Sequence, residues 1–412
     1  MIILDYYICM TVKRVIFHID VNSAFLSWSA VKILARGGPD YRLVPAVVSG
    51  DPSDRRSIVA AKSIPAKKYG INTAEPVSMA LRKYPGLVIL RSDFEWYREC
   101  SGRFIEICRG YSPVLQQFSI DECFLDMTYR LSGKDPVEVA TALKDQIHKE
   151  LGFTVNVGVA SNKLLAKMAS DFEKPDKVHT LWEEEIPEKM WPLPVRDLLW
   201  VGRQTAAKLT DHGISTIGAL ARMSPAALKR LLGGKFAEQL VSSANGKDDS
   251  PVETEAEEPK SYSAERTLAK DITDAKALDR ELFNVACIVS HRIRRDNFRA
   301  AEVSVFVKDK DFGVVSKQTQ LEQPTDITAL ILGAARKLVG QIWDGSTPLR
   351  QVGLGVSRLT HDATYYQTDL FNPEEADRLE FYRKWDAEYD RTHTRARVVS
   401  GLAPEALSPE GE

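Results

Sequence analysis

Apolar and polar residues alternate in short runs through the first 160 residues of this chain, the pattern of β-strands with buried faces. Segments in which apolar residues recur every three or four positions lie between these runs and predict helices. The predicted strands lie near residues 14–20, 44–50, 57–61, 87–91, 117–127 and 154–160. The predicted helices lie at residues 23–36, 94–110 and 136–151. The first third of the chain is therefore expected to be a mixed α/β structure.

The pattern changes after residue 187, where short helices separated by Gly and Pro continue to residue 244. Residues 245–259 combine turn-forming residues with an acidic run, which predicts a solvated linker. The segments that follow are predicted as a strand from residue 261, a helix at 275–295, strands at 302–308 and 314–321, a helix at 327–343 and a strand at 351–359. This βαββαβ order indicates a separate small domain. The remainder is polar, with a helix predicted at 373–389 and a disordered end.

Composition narrows the class of protein. A chain of 412 residues is expected to form two to four domains, and 44% hydrophobic with 27% charged residues fits a soluble globular protein. There is no apolar run of about 18 residues that would span a membrane. The first ten residues make a poor signal peptide, and either Met1 or Met10 could be the true start. Five cysteines without a CxxC pair favour a reducing, cytoplasmic compartment.

The net charge of −2 hides a segregation of charge along the chain. Residues 260–360 contain 16 Lys and Arg against 12 Asp and Glu, whereas residues 361–412 contain 6 against 12. A basic segment could therefore face phosphates while acidic segments lower the total charge. By itself this excess is weak support, since a mildly positive surface is common in soluble domains.

The candidate chemistry begins with the sequence SIDECFLD at residues 119–126. Asp121 and Glu122 stand side by side in an apolar, strand-like run, and the predicted strand near residues 14–20 ends in Asp20. Buried carboxylates carry a desolvation cost that a divalent cation commonly compensates. Two strands that deliver acids to one place would meet the basic requirement of a two-metal phosphoryl-transfer site.

The SIDECFLD run resembles the signature of Y-family, lesion-bypass DNA polymerases, and HIDVNSAF at residues 18–25 resembles their first metal motif. The similarity extends from about residue 12 to residue 371. It implies an α+β right-hand polymerase with a palm of mixed sheet and helices, small fingers, a helical thumb with a helix-hairpin-helix, and a separate βαββαβ little finger. The expected boundaries are an N-terminal extension at 1–11, palm at 12–31 and 91–187, fingers at 32–90, thumb at 188–245, linker at 246–259, little finger at 260–361 and tail at 362–412.

The resemblance also implies the roles of individual residues. Asp20 and Asp121 would bind two Mg²⁺ ions, Glu122 would complete the catalytic site, and the main-chain carbonyl of Val21 would be a further ligand. Phe25 occupies the position of the steric gate, a ring beneath the sugar of the incoming dNTP that leaves no room for a 2′-hydroxyl.

Two segments resemble the family's triphosphate-contact motifs. In residues 63–71 the family usually has Tyr and Arg where this chain has Ile64 and Lys67, so a hydroxyl and a bidentate guanidinium are replaced. Lys67 remains the candidate phosphate ligand there. In residues 158–167 the candidate is Lys163, whereas Lys167 is expected to face solvent or DNA.

Three further segments are expected to contact macromolecules. Residues 200–214 resemble a helix-hairpin-helix, in which the Gly202 region would offer backbone N–H groups to primer–template DNA, although Trp200 stands where Gly is usual. In the small domain Arg292, Arg294, Arg295 and Arg299 are expected to hold the duplex backbone. QTDLF at residues 367–371 resembles the bacterial sliding-clamp-binding pentapeptide, with Gln367, Asp369, Leu370 and Phe371 as contacts.

The function implied is a DNA-directed DNA polymerase of the lesion-bypass class that adds dNTPs to a primer 3′-end with low fidelity. The protein is expected to be monomeric, cytoplasmic and not bound to a membrane. Within the family the polymerase IV type is favoured, while Asp-Val-Asn at residues 20–22 is closer to the polymerase V catalytic subunit, which depends on partner proteins. A palm-fold nucleotide cyclase and a non-catalytic DNA-bound scaffold are the alternatives outside this activity.

Overall fold

The computed structural model describes residues 13–255, 257–362 and 373–393. The chain divides into two compact units, an N-terminal unit of residues 1–256 and a C-terminal unit of residues 257–412. Within the described part of the chain, no helix is long and apolar enough to cross a membrane.

The N-terminal unit alternates strands and helices, but the strand predicted at residues 57–61 is wrong, since only Ala61 of that segment lies in a strand. Its strands are β1 (Ile16–Val21), β2 (Ala46–Ser49), β3 (Ala61–Lys62), β4 (Val88–Arg91), β5 (Leu115–Gln117), β6 (Glu122–Asp126), β7 (Val155–Ala160) and β8 (Val178–Leu181). Its α-helices are α1 (Ala24–Leu34), α2 (Ile64–Lys67), α3 (Val77–Lys83), α4 (Phe94–Tyr111), α5 (Pro136–Leu151), α6 (Lys163–Ser170), α7 (Arg203–Asp211), α8 (Ile217–Ala221), α9 (Pro225–Leu232) and α10 (Gly234–Ala244).

A five-stranded sheet in the order β5-β6-β1-β7-β8 forms the centre of this unit. The middle strand β1 is antiparallel to both β6 and β7. Side chains alternate between its two faces, so Phe17 and Ile19 pack in one core, with residues of α1, α4 and α5, while Ile16 packs in another, with residues of α6. Both faces of β1 are therefore buried, as its apolar sequence predicts.

The strand predicted at residues 117–127 is interrupted, which corrects the sequence-based prediction. Strand β5 ends at Gln117 and β6 begins at Glu122. Between them the N–H groups of Phe118 and Ser119 both donate to the carbonyl of Glu122, at 3.0 and 3.2 Å. These bonds close a tight turn that contains Asp121. A carboxylate in a turn keeps access to solvent that it would lose inside a sheet.

Two smaller structures complete the N-terminal unit. A three-stranded sheet in the order β3-β2-β4 packs against α2 and α3 around its own apolar cluster. Helices α7 to α10 share a core with α6, in which Leu209, Leu228 and Leu240 are buried. The short helices predicted after residue 187 are thus confirmed.

The predicted solvated linker is wrong for its first half, because residues 246–253 are held against the N-terminal unit. Asn162 donates to the carbonyl of Gly246 at 2.8 Å, and the N–H of Leu164 donates to Asp248 at 3.0 Å. The guanidinium of Arg14 donates to the carbonyl of Ser250 at 2.8 Å, and Val252 is buried. The acidic residue Asp248 therefore satisfies a free N–H group of the first turn of α6.

The C-terminal unit has the predicted βαββαβ order and one additional helix. Its elements are β9 (Ser261–Ile272), α11 (Ala275–Arg295), β10 (Arg299–Asp309), β11 (Val314–Thr325), α12 (Thr328–Ile342), β12 (Leu349–Thr360) and α13 (Pro373–Thr392). The strands form one antiparallel sheet in the order β11-β10-β12-β9. Its apolar core contains residues of α11 and α12, together with Tyr389 of α13.

Helix α13 confirms the helix predicted at 373–389, but it belongs to the small domain and not to a separate tail. Arg294 of α11 donates to both carboxylate oxygens of Asp390 at 2.7 and 2.8 Å, and lies 3.1 Å from Asp386. Asp386 also accepts hydrogen bonds from the N–H and hydroxyl of Thr328, at the start of α12. Burial raises the pKa of Asp386 to about 6, although Arg294 opposes the shift.

These contacts correct the role expected for Arg294. Its side chain is 13% exposed, and its donors are used by Asp390, Asp386 and the carbonyl of Asp326. A guanidinium that is buried and paired in this way is not free to contact a DNA phosphate. Arg294 instead fixes α13 to the rest of the C-terminal unit.

Replacing Arg294 with Ala should lower the free energy of unfolding by about 3–5 kcal/mol, because the buried Asp386 and the half-buried Asp390 lose their cation. Arg295→Ala is the matched control, since its side chain is 60% exposed and pairs with its neighbour Asp296. That variant should stay within about 0.5 kcal/mol of the wild type. Urea denaturation of the full chain measures both, and equal losses in the two variants would contradict this role of Arg294.

Candidate active site

The register of β1 and β6 places two carboxylates next to each other. Asp20 is directly opposite Glu122 in this antiparallel pair, so both side chains leave the same face of the sheet. Asp121 immediately precedes β6, and its carbonyl accepts a 3.0 Å hydrogen bond from the N–H of Val21. The three acids predicted from sequence and the backbone of Val21 therefore meet at one end of the sheet.

The turn before β6 orients Asp121. The hydroxyl of Ser119 donates to Asp121 Oδ1 at 2.6 Å, and the N–H of Asp121 donates back to that hydroxyl at 3.3 Å. Asp121 is half-buried, in keeping with its place in a turn. Ser119 thus fixes the orientation of Asp121, the first of the two adjacent acids.

Glu122 is held by two cationic or hydrogen-bonding partners on the same face. His18 Nε2 lies 3.1 Å from Glu122 Oε2, and Lys167 Nζ of α6 donates to the same oxygen at 2.5 Å. Burial by itself raises the pKa of Glu122, but these two partners outweigh it and hold that pKa at about 2. Glu122 is therefore ionised at neutral pH.

His18 is fully buried beneath Glu122. Its Nδ1 lies 2.7 Å from the hydroxyl of Ser170, at the end of α6. Burial lowers the pKa of His18, which favours the neutral ring. A neutral imidazole with its proton on Nε2 donates to Glu122, while the single hydroxyl proton of Ser170 is shared between two acceptors, His18 Nδ1 and the carbonyl of Lys167 at 2.8 Å.

Asp20 has a different cationic partner. Lys174 Nζ, from the loop after α6, lies 2.6 Å from Asp20 Oδ2 and 2.8 Å from Asp171. Burial raises the pKa of Asp20, and the charge of Lys174 offsets this in part. For Lys174 the balance is reversed: burial lowers its pKa, but the two carboxylates outweigh this effect and raise it. Each of the two sheet carboxylates thus has its own lysine.

Lys167 was expected to face solvent or DNA, and this expectation is wrong. Its side chain is 13% exposed and forms an ion pair with Glu122. The reason is that α6 packs on the face of the sheet from which Glu122 projects, which places the fifth residue of the helix over that carboxylate.

Carboxylate oxygens are the ligands that Mg²⁺ prefers, so the donor types at residues 20, 121 and 122 fit a divalent cation. Within the described ranges, however, no three His, Cys, Asp or Glu side chains are grouped so that they could hold a metal ion. Asp20 and Glu122 instead point to lysines, which supply the positive charge that buried acids require.

Of the two lysines predicted to bind triphosphate, Lys163 lies one helical turn before Lys167 on α6, whereas Lys67 lies on α2. Lys163 donates to the carbonyl of Pro251 at 3.1 Å and lies over the Phe124 ring at 5.4 Å. Lys67 is exposed at the end of α2. Ile64, at the other end of that helix, is 47% exposed and has no hydroxyl to offer a phosphate.

Phe25 lies in the first turn of α1, five residues after Asp20. Its ring is stacked on Tyr97 with centroids 4.7 Å apart and planes 16° apart, and it meets Phe94 edge-on at 5.8 Å. Tyr97 is buried and its hydroxyl lies 2.7 Å from that of Ser29. The half-buried Phe25 ring is therefore backed by a fixed aromatic surface.

The hairpin before α7 contains an unusual backbone conformation. Gly202 is the N-cap of α7, with open space where a Cβ would lie. Trp200 has a φ of 74°, in the left-handed region that normally selects Gly, and its side chain is 55% exposed. This explains why the usual pattern has Gly at that position.

The remaining expected DNA contacts lie at the surface of the C-terminal unit or outside the described residues. Arg292 and Arg299 are half-buried and donate to the carbonyls of Ser263 and Asp362, and Arg295 is exposed. The proposed clamp-binding residues, Gln367, Asp369, Leu370 and Phe371, lie outside the described residues.

Sequence reasoning missed three residues of this site: His18, Lys167 and Lys174. The alternation along β1 could have found His18, because residues 18 and 20 leave the same face of a strand. Lys174 has no such local signal. Its position depends on how the loop after α6 folds back over the sheet.

Similarity to known proteins identifies the family. Residues 19–171 match the impB/mucB/samB family, residues 259–370 match its C-terminal domain, and residues 196–248 match the thumb domain of DNA polymerase-iota. A DNA polymerase IV from Clostridium acetobutylicum is 40% identical over 376 residues, which is 90% of this chain and 93% of that protein. The chain belongs to the Y-family of DNA polymerases.

Two further relatives agree with this assignment. A DNA polymerase IV from Acetivibrio thermocellus is 36% identical over 88% of this chain and 90% of its own length. DNA polymerase IV 1 from Bacillus subtilis is 35% identical over 87% of this chain and 86% of its own length. A solved Y-family DNA polymerase chimera has a TM-score of 0.73 at 22% identity, covering 84% of this chain and all of its own, and it confirms the fold. The polymerase is thus a DNA-directed, lesion-bypass enzyme of the polymerase IV type, which binds primer–template DNA and acts in DNA repair.

Replacing Lys167 with Met should lower the free energy of unfolding by about 1–3 kcal/mol in buffer without divalent cations, because half-buried Glu122 loses a charged hydrogen-bond donor. Lys163→Met is the control on the same helix, since Lys163 donates to a neutral carbonyl. It should lose no more than about 1 kcal/mol. Chemical denaturation compares the two, and a Lys167 variant as stable as the control would contradict the ion pair.

Proposed function

We propose that the polymerase extends a primer by attack of its 3′-hydroxyl on the α-phosphorus of a dNTP, with release of pyrophosphate. The observation that carries this proposal is the register of β1 and β6, which places Asp20 opposite Glu122 with Asp121 beside them. Lys167 and Lys174 balance the charge of Glu122 and Asp20 in this structure, and the oxygen donors of the three acids are the type of ligand that Mg²⁺ prefers. The proposed ligands of two Mg²⁺ ions are Asp20, Asp121, Glu122 and the carbonyl of Val21.

When bound, the ions would lower the pKa of the attacking hydroxyl and neutralise charge on the triphosphate. The protein's own contribution is to hold the carboxylates ionised and correctly placed. His18 and Lys167 hold Glu122 ionised, and Ser119 fixes Asp121. Lys167 and Lys174 supply positive charge to the site from the side of α6.

We further propose Lys174 as a ligand of the triphosphate, in addition to Lys67 and Lys163. Lys174 Nζ lies 2.6 Å from Oδ2 of Asp20, a carboxylate proposed to bind a cation, and a lysine ammonium is charged at neutral pH. A lysine in this position can exchange its carboxylate partner for a phosphate oxygen. Lys67 and Lys163 are supported by position in the sequence and not by a contact with the carboxylates.

Selection of deoxynucleotides is proposed to depend on Phe25. Its ring is backed by the buried Tyr97, so it cannot retreat from a 2′-hydroxyl without disturbing the core. Low fidelity is proposed because the small sheet β3-β2-β4 with α2 and α3 gives the fingers few residues with which to enclose a base pair.

The proposed DNA contacts are the hairpin at Gly202 and three arginines of the C-terminal unit. Gly202 precedes α7 and leaves space for a phosphate near the N–H groups of that helix. Arg292, Arg295 and Arg299 remain the proposed contacts of the C-terminal unit, without Arg294. Residues 367–371 are proposed to bind the sliding clamp, and the polymerase is proposed to act as a monomer.

Purified protein should extend a primer in the presence of Mg²⁺ and four dNTPs, without added partner proteins. Glu122→Ala should reduce extension by at least about 10³-fold, because a carboxylate placed for the transition state is lost. The assay is gel-resolved extension of a labelled primer, with circular dichroism to show that the variant is folded. If the wild-type protein extends no primer until a partner is added, the proposal of partner-independent extension is wrong. Extension by the Glu122 variant at the wild-type rate would contradict the proposed site.

Phe25→Ala should lower discrimination against ribonucleotides by about 10- to 200-fold, the range expected when one pocket contact is removed. Tyr129→Ala is the control, since Tyr129 is an aromatic residue of the same unit that is 82% exposed. The ratio of kcat/KM for a dNTP and the matching rNTP measures the effect. Unchanged discrimination in the Phe25 variant would exclude this ring as the gate.

A further inference from the structure

A buried pair of asparagines lies beside the carboxylates and has no role in the function described above. Asn156 of β7 is directly opposite Asp20 in the sheet, so Glu122, Asp20 and Asn156 form a row across β6, β1 and β7. Asn22 follows the end of β1, and its side-chain amide donates to Asn156 Oδ1 at 3.1 Å. Asn156 is fully buried and Asn22 is 8% exposed.

The two amides hold the loop of residues 171–177 on both sides of Lys174. Before the lysine, Asn156 Nδ2 donates to the carbonyls of Ser170 and Glu173 at 3.0 and 2.6 Å. After it, the N–H of Asp176 donates to Asn22 Oδ1 at 2.9 Å and the N–H of Lys177 donates to Asn156 Oδ1 at 3.3 Å. The loop is thus fixed at four backbone groups within eight residues.

The backbone partners determine which way each amide faces. Backbone N–H groups can only donate and carbonyls can only accept, so the oxygen and nitrogen of Asn156 are assigned without ambiguity. The hydroxyl of Thr154 donates to Asn22 Oδ1 at 2.9 Å and completes its environment. Position 22 therefore requires one donor and one acceptor, which Asn provides and Asp does not.

We propose that Asn22 and Asn156 are positioning residues that set Lys174 at the triphosphate of the incoming nucleotide. The inference rests on the proposed function, in which Lys174 contacts phosphate. A long, flexible ammonium gains most from a loop that is already fixed, because less conformational entropy is lost when the nucleotide binds. The hydrogen bonds of Asn22 to Asn156 and Asp176 explain why this polymerase of the IV type has Asn in its Asp-Val-Asn sequence.

The test measures the Kd of the next correct dNTP for the polymerase bound to a dideoxy-terminated primer–template, which requires no catalysis. Lys174→Ala should raise this Kd about tenfold or more, as expected for loss of a charge-assisted hydrogen bond. Asn156→Ala should also raise it about tenfold. The double variant should bind no more weakly than Lys174→Ala alone, because both changes remove the same interaction.

Asn22→Ala is the second variant, since it removes an amide at the end of a strand and is less disruptive than a change in the fully buried Asn156. It should raise the Kd in the same direction, and its effect should also vanish in the Lys174→Ala background. Asn245→Ala is the matched control: Asn245 donates to the carbonyls of Ala221 and Val241, far along the chain from this loop. It should leave the dNTP Kd unchanged.

If the Asn22→Ala and Asn156→Ala variants both bind the dNTP with the wild-type Kd, the inference is overturned and the proposed function is left intact. Effects that multiply, to about a hundredfold in the double variant, would also overturn it, because they would show that the asparagines act independently of Lys174. A Lys174→Ala variant with the wild-type Kd would instead overturn the phosphate role of Lys174, and the inference with it.

Discussion

The pairing of β1 with β6 is the constraint on which the rest of the site depends. It brings Asp20 and Glu122 to directly opposite positions, and the turn before β6 adds Asp121. A shift of one residue in this register would move one of the two carboxylates to the other face of the sheet. The register is fixed because both faces of β1 are buried, with Phe17 and Ile19 in one core and Ile16 in another.

Adjacent half-buried carboxylates need compensating positive charge, and the elements around the sheet supply it. Helix α6 brings Lys167 to Glu122, and the loop after it brings Lys174 to Asp20. The buried imidazole of His18 supports Glu122 from below. The ammonium groups of Lys167 and Lys174 neutralise the acids in the free protein, and the same positive charge can attract a triphosphate. The buried amides of Asn22 and Asn156 then determine where one of these cations lies.

Departures from the family pattern have local physical explanations. Trp200 adopts the left-handed backbone conformation that Gly usually provides in this hairpin. For a residue with a Cβ this conformation costs on the order of 1 kcal/mol. Ile64 leaves an exposed apolar side chain where a hydroxyl is usual. In the C-terminal unit, α13 is added to the βαββαβ domain, and ion pairs of its Asp386 and Asp390 with Arg294 hold it there. The same sequence run that indicates a basic DNA surface therefore contains one residue with a purely structural role.

The sequence alone identified the long helices and most strands, the three acids, the aromatic residue Phe25 and the family, because these depend on local periodicity and contiguous motifs. It also predicted the βαββαβ domain, since its long amphipathic helices and strands have clear periods. It could not locate Lys174, which lies 154 residues from Asp20 in the chain and meets it only through the fold of a loop. Nor could it separate Arg294 from Arg295, because adjacent residues on a helix point in different directions and only the packing of α13 decides which is buried. Motifs record which groups are present, whereas the tertiary structure decides which of them share a site.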